Sequence, residues 1–352
     1  MYPLEPIDSL WKMATVFGQI YLDLTGSLGV SDPTREIGFA ATNGMLSTLD
    51  QGCALVPAAT YEPARAKSVG AGPGGPVVSG LLGSGVGYVL VRSLATTTTK
   101  EVEDALAGLR AAGSGPLRGL VLDLRGNPGG LLDQVVQVAN VFVAEGVLLK
   151  YLARSGKQVE ERRAVQGGVA TTIPLVVLVN EKTASGAEAI AAALKDRDRA
   201  VVVGQRTMGL GTIQVIYEVG DTDGSGKAYL KLTIARLIRP SGAILDGLGV
   251  VPDIALARTS PAGAPAPAAG EKDAGPRWNP FGDPTIPRLP TEERALAEVA
   301  YTAPEPHSGG SPDRPPLEDF EVRLARDILL RTSSARRSEM LQQAGAVAAE
   351  RR

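Results

Sequence analysis

The sequence predicts an α/β fold built on several parallel strands. Three observations carry that expectation. From Val86 onward the apolar residues alternate between short runs of strand length and longer stretches at helical spacing. Two of the runs, 117–124 and 174–179, are apolar almost throughout, as strands buried on both faces require. The first of them ends in Asn127-Pro128-Gly129-Gly130, turn residues placed where a strand gives way to a helix.

The elements follow in order along the chain. Leu10, Met13, Phe17, Ile20 and Leu24 recur at helical spacing and predict an amphipathic helix over 7–24, with a second over 34–49. Residues 68–85 are dominated by Gly, Pro, Ser and Val and read as a Gly-rich flexible connector. A strand is expected at 86–92. Thr98-x-x-Glu101 then forms a capping-box pattern that opens a helix through about Arg110. Strand 117–124, helix 131–144, strand 174–179, helix 184–194 and strand 200–203 come next, followed by strands at 212–219 and 228–236. From 257 to 316 the chain is rich in Ala, Pro and Gly. Such a composition buries too little apolar surface to offset chain entropy, so this linker is expected to be largely disordered. Leu317, Phe320, Leu324 and Ile328 predict one last helix within a segment 317–352. Its apolar face must dock on the core or on a second chain.

Composition excludes several function classes. The 352-residue chain carries a net charge of −2 and no basic stripe, which argues against a nucleic-acid partner. One cysteine, Cys53, permits no internal disulfide, and no cysteine/histidine metal set is available, so neither metal nor other cofactor is expected. The single histidine, His307, falls in the Pro-rich linker, so a Ser-His-Asp triad is not expected. No run of 18 or more apolar residues indicates a membrane span, and no signal-peptide pattern opens the chain. Asp221-Thr222-Asp223-Gly224-Ser225-Gly226 imitates the start of a calcium loop. Its twelfth position is Leu232 rather than a bidentate glutamate, so a polar hairpin turn is the reading adopted.

Two segments invite chemistry. After the strand at 117–124, the glycine pair Gly129-Gly130 lets backbone amides approach a ligand closely, although an ordinary strand-to-helix turn has the same composition. Ser185 stands at a helix start, where amides stabilise developing negative charge. A cap or a packing residue occupies such a place as well.

Three segments taken together narrow the choice: Asp123-Leu124-Arg125-Gly126-Asn127-Pro128-Gly129-Gly130, Thr183-Ala184-Ser185-Gly186-Ala187-Glu188 and Thr207-Met208-Gly209-Leu210-Gly211-Thr212-Ile213-Gln214. They resemble the C-terminal processing peptidases of serine peptidase family S41. The stretch Asn43–Asp50 resembles the family's N-terminal helical region (1–67 here). Pro240-Ser241-Gly242 and 247–253 resemble the end of its core, with Ala243 in place of the usual arginine. The resemblance implies a ClpP/crotonase-like core over 86–256. It implies a nucleophile at Ser185 and oxyanion amides at Gly129 and Gly186. Glu188 and Asp196 fall at the offsets of supporting residues, and Gln214 matches the glutamine that orients the base. The family also carries a PDZ domain ahead of the core, yet only 18 residues separate Lys67 from Val86, too few for a folded domain.

In the family the base is a lysine, which must act as a neutral amine with its pKa lowered by burial from about 10.4 toward roughly 7–8. Here that position is Leu210, 25 residues after Ser185. Leucine removes the proton acceptor. Arg206 stays protonated, Gln214 takes no proton at neutral pH, and Lys182 would have to fold back to serve. The resemblance therefore implies a catalytically impaired S41 homologue that keeps a groove for unfolded or extended polypeptide chains. An active serine endopeptidase with a rewired base, and a structural assembly unit that forms a homo-oligomer through its terminal helices, are the alternatives. By the family, the expected location is the bacterial periplasm or envelope, with the cytoplasm as the alternative.

Overall fold

The computed structural model describes residues 33–50, 52–68, 75–113, 115–153, 159–219, 227–259, 294–302 and 319–351. The helix expected over 7–24, the hairpin turn at 221–226 and His307 lie outside them. The chain divides into two compact units, Met1–Glu62 with Gln214–Thr233, and Pro63–Ile213 with Ile234–Arg352.

In the smaller unit, helix α1 (Pro33–Ser47) leads to strand β1 (Ala54–Pro57). Asn43 joins them: its Oδ1 accepts the Leu55 N–H at 2.7 Å and its Nδ2 donates to the Leu55 carbonyl at 3.0 Å. β1 pairs antiparallel with the first residues of β10 (Ala228–Ile238), from Ala54 opposite Lys231 to Pro57 opposite Ala228. The turn before β1 is closed by Asp50, whose Oδ1 accepts the Gly52 N–H and the Thr233 hydroxyl at 2.6 and 2.8 Å. Helix α2 (Ala58–Ser68), strand β9 (Thr212–Val219) and β10 are each divided between the two units.

The larger unit is built on a seven-stranded sheet of order β12-β11-β8-β7-β4-β3-β2. Its strands are β2 (Val77–Leu81), β3 (Val86–Val91), β4 (Gly119–Asp123), β7 (Leu175–Val179), β8 (Val201–Gly204), β11 (Ile254–Thr259) and β12 (Ala297–Thr302). All neighbours run parallel except the edge pair β2–β3. Helices α3 (Thr98–Ala112), α4 (Leu132–Phe142) and α5 (Gly186–Asp196) return the chain between strands. Strands β5 (Val147–Ala153) and β6 (Val159–Arg163) form an antiparallel pair, and β5 also pairs with the end of β10.

Alternation along the parallel strands sorts their side chains to two cores. Leu120 and Leu122 of β4, with Val177 and Val179 of β7, join the helical layer α3–α5; Val121, Val176 and Leu178 point the other way. That second face is covered by α6 (Phe320–Leu330) and α7 (Arg337–Glu350), through Val322, Leu324, Ile328, Met340 and Val347. A strand buried on both faces must be apolar at consecutive positions, which is why β4 and β7 read as unbroken apolar runs.

Several expectations need correction. The 68–85 connector contains β2, and the linker 257–316 contains β12, which adds a parallel strand beside β11 through the buried Val299. The rest of the linker beyond Thr259 is undescribed apart from 294–302. The expected final helix is two helices. Their apolar faces are buried on the chain's own sheet, so those faces are not free to pair subunits. The helix at Thr98 begins as expected, but its cap differs. The Thr98 hydroxyl donates to the Ser93 carbonyl at 3.0 Å, while Thr97 bonds Glu101 at 2.7 Å. Among the described residues no helix is long and apolar enough to cross a membrane.

The docking of α6 depends on the first residue of β4. A Cβ on Gly119 would lie 2.9 Å from Leu329 Cδ2 and 3.0 Å from Leu329 Cβ. Gly119→Ala is therefore expected to lower unfolding stability by about 1–3 kcal/mol through overpacking. Urea denaturation checks this, and pairing the change with Leu329→Ala should recover part of the loss.

Candidate active site

The parallel strands β4, β7 and β8 deliver three loops, 124–131, 180–185 and 205–211, to one edge of the sheet, the edge where open α/β sheets place their ligand sites. Hydrogen bonds stitch the loops together. The Thr183 hydroxyl donates to the Leu124 carbonyl at 2.9 Å, Ala184 N–H to the Asn127 carbonyl at 2.9 Å, and Met208 N–H to the Thr183 carbonyl at 3.0 Å.

Ser185 is the N-cap of α5, at φ 51° and ψ −117°. A non-glycine residue there is strained by about 1–3 kcal/mol, and such strain persists only where the surroundings enforce it. The sharp strand-to-helix turn leaves Ser185 partly exposed, while Gly186, first in the helix, is buried. Gly186 and Gly129 lie against each other: a Cβ on Gly129 would come within 2.8 Å of the Gly186 nitrogen. Any side chain on Gly186 would meet Val135 Cγ2 at 2.5 Å. The Gly129 N–H itself donates to Asn127 Oδ1 at 2.8 Å, closing an Asx-turn.

Glu188 organises the centre. It is fully buried in a helix whose buried neighbours are mostly alanines, with Ile190 and Leu194. Its carboxylate accepts the Ser185 N–H and the Leu210 N–H on Oε2, each at 2.8 Å, and the Gly209 N–H on Oε1 at 2.7 Å. The Thr207 hydroxyl donates to the same Oε1 and accepts the Val250 N–H at 2.7 Å. Ser185 and Leu210 therefore present their amide nitrogens to one oxygen, and the two nitrogens can be no further apart than twice that bond. Burial pushes the Glu188 pKa above the ordinary glutamate range, against the four donors, which pull it down.

Of the expected site residues, Ser185, Gly186, Gly129, Glu188 and Leu210 come together. Asp196 does not. It ends α5, ten residues from Gly186, or about 15 Å along the axis. There it accepts the Ser241 hydroxyl at 2.7 Å and pairs with Arg239. Gln214 sits on β9 in the smaller unit, next to Gly52. Asn127 and Thr207 were not expected. The Asn-Pro-Gly order is an Asx-turn signal that marks Asn127; nothing local marks Thr207. Among the described residues no cluster of three or more His, Cys, Asp or Glu could hold a metal.

The sequence profile of peptidase family S41 matches residues 85–256. The core belongs to peptidase family S41. The S41 match spans the strands and loops just described. The carboxyl-terminal-processing protease of Synechocystis sp. is 39% identical over 171 residues, 49% of this chain and 38% of that protein. The carboxy-terminal processing protease CtpA of Bacillus subtilis is 36% identical over 183 residues, 51% of this chain and 36% of that protein. Among solved structures, a photosystem II D1 C-terminal processing protease aligns at 36% identity with a TM-score of 0.42, over 48% of this chain and 42% of that one. The chain thus spans well under half the length of these relatives.

Glu188 supplies a test of the site's architecture. A glutamine there offers one acceptor oxygen and sets an NH2 against backbone donors, so Glu188→Gln is expected to cost at least about 2 kcal/mol in chemical denaturation. The sign of the pH dependence follows from the raised pKa. The native state holds its proton to higher pH than the unfolded chain, so stability from this group is present below the unfolded pKa and declines as pH rises through the native one. In the variant that slope should be missing.

Proposed function

We propose that this chain is a peptide-binding S41 homologue that engages extended polypeptides beside Ser185 and does not hydrolyse them. The observation that supports the reading is the shared Glu188 oxygen, which holds the Leu210 and Ser185 amides close together; likeness to the family assigns position 210 to its lysine. The backbone around that position is anchored, and its side chain takes no proton. Lys182 and Arg206 are exposed on their loops. Ser185 keeps the strained turn of a nucleophile, and Gly186 is the amide this reading assigns to an oxyanion, since the Gly129 N–H is already taken by Asn127. The polypeptide partner is inferred from the relatives, which are processing proteases, and the envelope location from the family resemblance alone.

Loss of one member of a nucleophile–base unit lowers turnover by up to about 10⁶. Purified protein should therefore cleave unfolded substrates at background rate and show no labelling of Ser185 by a serine-directed phosphonate. Leu210→Lys should bring both above background and lower stability by a few kcal/mol, about what a half-buried amine loses on desolvation. Ser185→Ala should cancel the gain. Robust proteolysis by the unaltered chain, abolished by Ser185→Ala, would overturn the proposal.

A further inference from the structure

The geometry points to Glu321, at the start of α6, as a positioning residue for the loop that packs against Ser185. Arg125 carries the connection. Its Nη1 donates to Glu321 Oε2 and to Asp319 Oδ2, each at 2.8 Å, while Nη2 and Nε bind Asp123 at 2.6 and 2.9 Å. Asp123 also accepts the buried Tyr88 hydroxyl at 2.8 Å, and Glu321 accepts the hydroxyl of Tyr301 from β12. Asp319 is at the same time the N-cap of α6, accepting the Glu321 and Val322 N–H groups at 2.8 and 3.3 Å. Helix start and loop therefore share one set of charges.

The set is nearly dry: the side chains of Arg125, Asp123 and Glu321 are 13%, 2% and 3% exposed. Burial works against the Arg125 charge. Asp123, Glu321 and Asp319 outweigh it and hold the guanidinium above its ordinary range. Removing one carboxylate leaves a buried arginine short of a partner, so the cost falls where Arg125 is attached. That place is the second residue of the 124–131 loop. From there Gly126 N–H binds Asn180 Oδ1 at 2.9 Å, the Asn127 carbonyl takes the Ala184 N–H, and Asn127 Oδ1 takes the Gly129 N–H. Every step from Glu321 to Ala184, the residue before Ser185, is a direct bond or one peptide unit, and Gly129 packs against Gly186 on the other side. The C-terminal helix thus sets the loop as well as covering the sheet.

This inference rests on Ser185 marking the active position, but its test needs no catalysis. Hydrogen–deuterium exchange on the full chain would compare the unaltered protein, Glu321→Gln, Glu321→Asp and Leu324→Ala. Glu321→Gln should raise exchange about tenfold or more in peptides covering 125–131 and 183–188, as loss of a charged hydrogen bond implies. Strand β11 and helix α7 should keep their protection. Glu321→Asp should recover much of the loop protection, and Leu324→Ala, which loosens α6 without touching Arg125, should lower the melting temperature and spare the loops. Unchanged loop exchange in Glu321→Gln would overturn the inference. So would a uniform rise across the unit, or loops that respond to Leu324→Ala as strongly as to Glu321→Gln. Inert Leu210→Lys protein would count against the proposed function and leave this result standing.

Discussion

The Glu188 carboxylate lies in an interior where an unpaired charge would be untenable, and the donors around it come from two loops distant in sequence. Satisfying that charge requires the turn at Ser185 and the turn at 207–210 to be present together and in register. The strained backbone at Ser185 is held by the same carboxylate oxygen that fixes the Leu210 amide, so the two central positions are set by one side chain. Thr207 links the carboxylate onward to the Val250 N–H and joins the end of the core to the arrangement. Chemistry at this edge of the sheet presupposes that electrostatic knot.

A second layer of order comes from the sheet's two faces. Helices α3–α5 cover one face, with Gly186 and Glu188 of the site on α5, while α6 and α7 cover the other. The C-terminal helices reach the site through charge as well as packing, since Arg125 projects from the end of β4 to the acids at the start of α6. α7 is tied separately, through Arg337 to Asp253 and through Ser338 to Asp198. The two helices therefore do different work on the same unit.

Much of this was legible in the residues. Strands 86–91, 119–123, 175–179 and 201–204 and the helices between them appear close to where periodicity and turn chemistry put them, because burial on two faces leaves a strong local signature. β12 was hidden because six residues of strand stand beside a long Pro/Gly-rich stretch whose average masks them. β2 was hidden in the same way, and the two C-terminal helices merged into one because Thr332–Arg336 carries no proline or glycine to divide them. Within the site, position by position likeness singled out Ser185 and Leu210, whose amides share one Glu188 oxygen. The Glu188 donors are backbone N–H groups, which every residue but proline carries, so no sequence pattern could have announced them. Asp196 illustrates the converse: the right offset along a helix placed it three turns away, where it serves Arg239 and Ser241.

Leu210 gives Glu188 its main-chain N–H and nothing from its side chain. The hydrogen bond that anchors this position is therefore independent of which side chain sits there, provided the residue is not proline. Substitutions at 210 can change what the side chain offers while the backbone there stays tied to Glu188. The architecture separates the right to fold from the capacity to react, and leaves the second exposed to chance.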